Sequence, residues 1–186
     1  MEKEVNDDEQ SDVPMTTFKG CTSKLCRRIQ QILESNVDLV AWNSDYTELP
    51  EFFGKTILFS DFSLEGKGWA GEISLEADEF ENPYLKEGEP SAKLEILKIV
   101  SNYEGRVLKR SWKALTEYLN RLNGELPWGG SSFFHKNPEG DQVWLISSFV
   151  KPQGKITDQE IFFLLAAHKS ISHKFCPRID RFIQGN

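Results

Sequence analysis

Residues 66–71 read Gly-Lys-Gly-Trp-Ala-Gly, the G-x-G-x-x-G spacing of loops that cradle phosphates. A dinucleotide loop of that spelling needs a strand before it and a helix after it, because the helix N-terminus carries the partial positive charge that holds the pyrophosphate. Here the chain beyond the loop alternates Trp69, Gly71, Ile73 and Leu75 against Glu72, Ser74 and Glu76, which is the period of a strand. The dinucleotide reading fails on that context. A protein-kinase glycine loop does lie between two strands, but its V-A-I-K lysine, H-R-D loop and D-F-G metal site are missing. The G-x-x-x-x-G-K-[ST] loop is missing too. The expectation is a hairpin turn at 66–68, with Gly71 inside the following strand as a bulge or a close packing point. A small nucleotide-binding protein or enzyme using Gly66–Gly71 stands as the alternative function.

The other reactive side chains form no catalytic pattern. His168 and His173 are five residues apart, not the four that align two ligands on one helix face, and H-E-x-x-H does not occur. Surface or interface histidines are expected, with His135 in a hairpin. Cys176 precedes Pro177 with histidines nearby in sequence, and a buried structural thiol is favoured over a Cys/His nucleophile. Glu72, Glu76, Asp78, Glu79 and Glu81 make an acidic stretch, for which an exposed strand face is the simpler reading than convergent metal oxygens. The segment Gly129-Gly130-Ser131-Ser132 is not the G-x-S-x-G elbow. No catalytic, cofactor or metal set is assigned, and the chain is not expected to be an enzyme. Lys169, Lys174, Arg178 and Arg181 give the last helix a basic end that complements its dipole. Nucleic-acid binding is a weaker reading of the same residues, given the acidic total.

The elements that must carry these residues follow from periodicity. Residues 23–41 place Leu25, Ile29, Ile32, Leu33, Val37 and Val40 at helical steps, with Thr22 or Ser23 as cap. Residues 55–65, 69–78 and 92–102 read as strands, the last with apolar groups on both sides and therefore central. Residues 107–123 return to a helical stripe of Leu108, Trp112, Leu115, Leu119 and Leu122. Residues 132–136 and 142–150 flank Asn137-Pro138-Glu139-Gly140, a type I turn sequence, and make a hairpin. Thr157-Asp158-Gln159-Glu160 is a capping box that opens a last helix, apolar on every face and broken or kinked at Pro177. The predicted order is α-β-β-β-α-β-β-α, an α+β fold with helices covering an antiparallel sheet.

Length and charge bound the whole. The 186 residues favour one domain over 17–186, preceded by a disordered acidic tail at 1–16. Residues 1–15 carry six acidic residues against Lys3 alone, −5 of the total −7, so the body is close to neutral. Such a tail repels nucleic acid and anionic membranes. The three cysteines, Cys21, Cys26 and Cys176, do not form a disulfide framework, so a reducing cytosol fits best. No secretory signal or membrane-spanning run is read. What remains is an aromatic surplus: Trp112, Trp128, Phe133, Phe134, Trp144 and Phe149, most of it core, some of it open to a dimer face or a peptide groove.

Three stretches carry a family resemblance: "SWKALTEYLNRLNGELPWGGSSFF" (111–134), "NPEGDQVWLISSFV" (137–150) and "GKITDQEIFFLLAAHKSISHKFCPRIDRFIQG" (154–185). A helix ending in Leu-Asn, a Leu-Pro-x-Gly bridge, an acidic-turn hairpin, a Thr cap and a long final helix together resemble the YbjN family. The element order resembles that of the related class I type III secretion chaperones, and residues 1–90 match in that order alone. The resemblance implies a non-enzymatic, cytoplasmic protein-binding module, chaperone-like or regulatory, often a homodimer, whose partner is a client protein or peptide. In the chaperones the middle helix tends to form the dimer interface, so Trp112, Leu115 and Leu119 become interface candidates. Trp69 and Trp128 are further candidates for a core anchor or a binding face.

Overall fold

The computed structural model describes residues 17–19, 22–36, 44–48, 56–61, 69–80, 92–103, 112–126, 132–136, 142–152 and 154–185. Along the chain these form β1 (Thr17–Lys19), α1 (Lys24–Glu34), β2 (Ser44–Glu48), β3 (Thr56–Asp61) and β4 (Trp69–Phe80). Then follow β5 (Ala92–Tyr103), α2 (Trp112–Glu125), β6 (Ser132–Lys136), β7 (Val143–Pro152) and α3 (Asp158–Gln184). The seven strands make one sheet in the order β1-β2-β3-β4-β5-β7-β6. β1 and β2 are parallel, and the other neighbouring pairs are antiparallel. The fold class is thus α+β, an antiparallel sheet with helices. β1 and β2 are additional to the predicted order, and the remaining eight elements keep it. Neither added strand has an apolar alternation of its own ("TFK" and "SDYTE"), so pairing with a neighbour makes each a strand. The expected acidic tail and the turns at 66–68 and 137–140 lie outside the described residues.

α1 forms as its sequence dictates. The Ser23 hydroxyl accepts from the Cys26 N–H at 3.1 Å and caps the first turn. Leu25, Cys26, Ile29, Ile32 and Leu33 make the buried stripe. The helix ends at Glu34 with Ser35 as its C-cap, which corrects the expected span of 23–41; Val37 and Val40 lie outside the described residues.

Sheet register decides which residues meet the helices. Ile73 pairs with Ile99, Ile99 with Ser147 and Ser147 with Ser132, which fixes one face across β4, β5, β7 and β6. On that face Ile73, Leu97 and Ile99 pack with α1 and with Ile161, Leu164 and Leu165 of α3. Phe134, Val143 and Leu145, also on that face, pack with α2 and with Ile171, Phe175, Cys176 and Ile179. All three helices therefore cover one side of the sheet, and α3 bridges two apolar clusters. β5, central between β4 and β7, meets the expectation for a strand with apolar groups on both sides.

α3 is anchored at its start. The Thr157 hydroxyl and the Glu160 carboxylate complete the capping box, and Glu160 also accepts from Lys151 Nζ at 2.9 Å. Arg28 of α1 donates to Asp158 Oδ1 and to the Ile156 carbonyl, both at 2.6 Å. Glu95 Oε2 accepts the Ile156 N–H at 2.6 Å. Two side chains of opposite charge thus hold both backbone groups of Ile156, whose side chain is buried in the first cluster. Of the two expectations for Pro177, a break or a kink, the break is overturned. Pro177 does not end α3: one helix of 27 residues, about 40 Å long, runs from Asp158 to Gln184. Its apolar first half buries Ile161, Leu164 and Leu165 and leaves Phe163 57% exposed.

Candidate functional site

Among the described residues the opposite face of the sheet takes no part in the two clusters that the helices share with the sheet. By register it presents Phe133 beside Ile146, Ile146 beside Val100, and Val100 beside Glu72. A second row sets Val150 beside Ile96 and Ile96 beside Glu76. Phe133 is 40% exposed and Val150 50%, while Ile96 and Ile146 are half-buried and Val100 is buried between its neighbours. Glu72 and Glu76 are exposed. The face therefore carries two apolar rows on β5, β7 and β6, each ending on a glutamate of β4 and divided by the polar row Ser74, Lys98 and Ser148. Of the acidic stretch, Glu72 and Glu76 are exposed on one strand face; the side chains of Asp78, Glu79 and Glu81 lie outside the described residues.

The helix-covered side holds a buried polar chain between the two apolar clusters. His168 Nε2 lies 2.8 Å from Ser101 Oγ, and Nδ1 lies 2.8 Å from Ser147 Oγ. Ser147 Oγ in turn lies 2.7 Å from Ser132 Oγ. All four residues are buried, which corrects the expectation of a surface or interface His168. Burial lowers the His168 pKa to about 3, so the ring is neutral at physiological pH. A neutral imidazole has one donor and one acceptor nitrogen, so the chain is satisfied with the protons running in either direction. The hydroxyls are sealed away from solvent and both ring nitrogens are engaged. The arrangement suits alignment of α3 on β5, β6 and β7 rather than nucleophilic attack on a substrate.

The other candidates fall in varied places. Leu115 and Leu119 are buried in the second apolar cluster, so they face Phe134 and Phe175 of their own chain rather than a partner. Trp112 packs at the edge of that cluster with Lys136 Nζ 5.2 Å above its ring. Trp69 is the first residue of β4, and Trp128 lies outside the described residues. β4 continues from Trp69 to Phe80, so a strand and not a helix follows the glycine loop. Cys176 is a free buried thiol whose pKa is pushed up by burial, which suits a structural role. Cys26 is disulfide-bonded, a pairing the reading of the cysteines did not include. His173 and His135 are exposed. The basic end of α3 is partly neutralised: Arg178 donates to both Glu125 oxygens, at 2.7 and 3.3 Å. Among the described residues no three His, Cys, Asp or Glu side chains converge on a common point, and no helix is long and apolar enough to cross a membrane.

Sequence reasoning placed Phe133 on a hairpin strand without telling which face it takes. The signal was available in the alternation Phe133, His135 against Ser132, Phe134, and it needed the register with β7 to be read. No family model, curated protein or solved structure matches this chain.

Proposed function

We propose that this chain is a non-enzymatic protein- or peptide-binding module, chaperone-like or regulatory, that takes its client on the helix-free face of the sheet. The observation that carries the reading is the pair Phe133 and Val150, large apolar side chains left open on a face otherwise lined by half-buried Ile96 and Ile146. The two lie in separate apolar rows, Phe133–Ile146–Val100 and Val150–Ile96, with Lys98 and Ser148 between them, so an extended client would meet two apolar contacts a few residues apart. The exposed Glu72 and Glu76 at the ends of the two apolar rows favour an extended client that combines apolar with basic side chains. The resemblance to the YbjN family and to type III secretion chaperones supports the same class of function. A homodimer belongs to this proposal, with contacts other than Leu115 and Leu119, which the monomer core occupies.

Fluorescence anisotropy with a labelled peptide alternating leucine and lysine tests the reading. The double variant Phe133→Ser, Val150→Ser should bind at least about tenfold more weakly, because two apolar side chains leave the contact. Its melting temperature should stay within a few degrees of wild type, since both residues are exposed. Binding that is absent in wild type, or unchanged in the double variant, rejects this face as the client site. Glu72→Lys with Glu76→Lys should weaken the lysine peptide and leave a leucine–serine peptide unaffected.

A further inference from the structure

β6 is the last strand of the sheet, so the side of it away from β7 is an edge. An unpaired edge offers N–H and C=O groups to any extended chain. At the middle of this edge the Phe134 N–H donates to Asn123 Oδ1 at 2.7 Å, and Asn123 Nδ2 donates to the Phe134 carbonyl at 2.9 Å. Asn123 lies in the last turn of α2. A carboxamide has the donor and acceptor of a peptide group. Two reciprocal bonds to one residue are what an antiparallel neighbour makes at a hydrogen-bonded pair.

We propose that Asn123 stands in for an eighth strand and keeps the β6 edge from pairing with the β6 edge of a second copy of this chain. The occupant follows from symmetry. Antiparallel pairing of β6 with itself, centred on Phe134, is closed and self-complementary, with Ser132 of each copy opposite Lys136 of the other. Strand alternation aims the Ser132, Phe134 and Lys136 backbone groups at the edge, and only Lys136 brings a charge there. The segment "SFFHK" contains no proline to block pairing. With Asn123 in place the central donor and acceptor are already used, and an incoming strand must displace both bonds.

Sedimentation velocity over a concentration series tests this with three variants. Asn123→Ala should self-associate at concentrations where wild type keeps its mass. Thr157→Ala, a loss of helix cap far from the edge, should not, which separates edge opening from general destabilisation. Adding Lys136→Pro to Asn123→Ala removes an edge-directed N–H and should return the mass to that of wild type. Asn123→Asp keeps the acceptor for the Phe134 N–H but loses the donor to its carbonyl, so it should associate to an intermediate degree and serves if the alanine variant does not fold. The proposal is overturned if neither Asn123 variant associates more than wild type and Thr157→Ala, or if Lys136→Pro leaves the association unchanged.

Discussion

With Ser101 and Ser147 each 2.8 Å from a ring nitrogen, His168 is satisfied as a neutral base in a dry site. Its folded pKa of about 3 lies below the ordinary 6.5 of an unfolded chain. Between those values the unfolded chain binds a proton that the folded one does not. Stability from this residue is therefore whole above pH 6.5 and declines as pH falls, by about 1.4 kcal/mol per unit. Urea unfolding at pH 7 and pH 5 should show wild type losing about 2 kcal/mol more than His168→Gln over that interval. Parallel losses in the two proteins would place the pH dependence elsewhere. Nothing local in "AAHKS" announces this role, because Ser101 of β5 and Ser147 of β7 meet the ring, and Ser132 of β6 meets Ser147, only after the sheet has formed. Asn123 is similar: its partner Phe134 is eleven residues away, across segments that periodicity does not place relative to one another.

The starts of α1 and α3 were legible because caps act within four residues, whereas α1 ends at Glu34, short of the expected 41. Ser23 and the Thr157–Glu160 box sit where the sequence puts them, and Thr157→Ala should cost about 1 kcal/mol in chemical unfolding. Helix continuity was not legible. Proline deprives α3 of one backbone bond and crowds the preceding turn, yet Ile171, Phe175, Cys176 and Ile179 on both sides of Pro177 share one buried cluster. That packing holds the helix together through a position where propensity alone would stop it. Pro177 is exposed, so Pro177→Ala should restore the bond without opening a cavity and raise stability by about 1–3 kcal/mol. A fall in melting temperature would mean that the core is fitted to the proline geometry. Arg28, which spans α1 to the start of α3, invites a parallel test. Arg28→Ala strands the Ile156 carbonyl and should cost about 1–3 kcal/mol, with Arg28→Lys recovering only part.

Two apolar clusters share one sheet and one long helix. Leu97 lies in the first and Leu122 in the second, both fully buried, and Leu97→Ala and Leu122→Ala should each cost about 2–5 kcal/mol. Because α3 contributes to both clusters, each variant should still unfold in one transition, seen together by circular dichroism and tryptophan fluorescence. Two separated transitions would show that the clusters are independent units. The sequence by itself determined the α+β class, the amphipathic stripe of α1, the central place of β5, the hairpin strands and the helix caps. These depend on periods and short-range hydrogen bonds that a single segment contains. Tertiary structure alone decided that all three helices take one face, that β1 and β2 become strands, and that His168 is buried. It also decided that Leu115 and Leu119 serve the core while Phe133 and Val150 face away from it. Each of these turns on register and packing between distant segments, and a shift of one residue in strand register exchanges the two faces of a sheet.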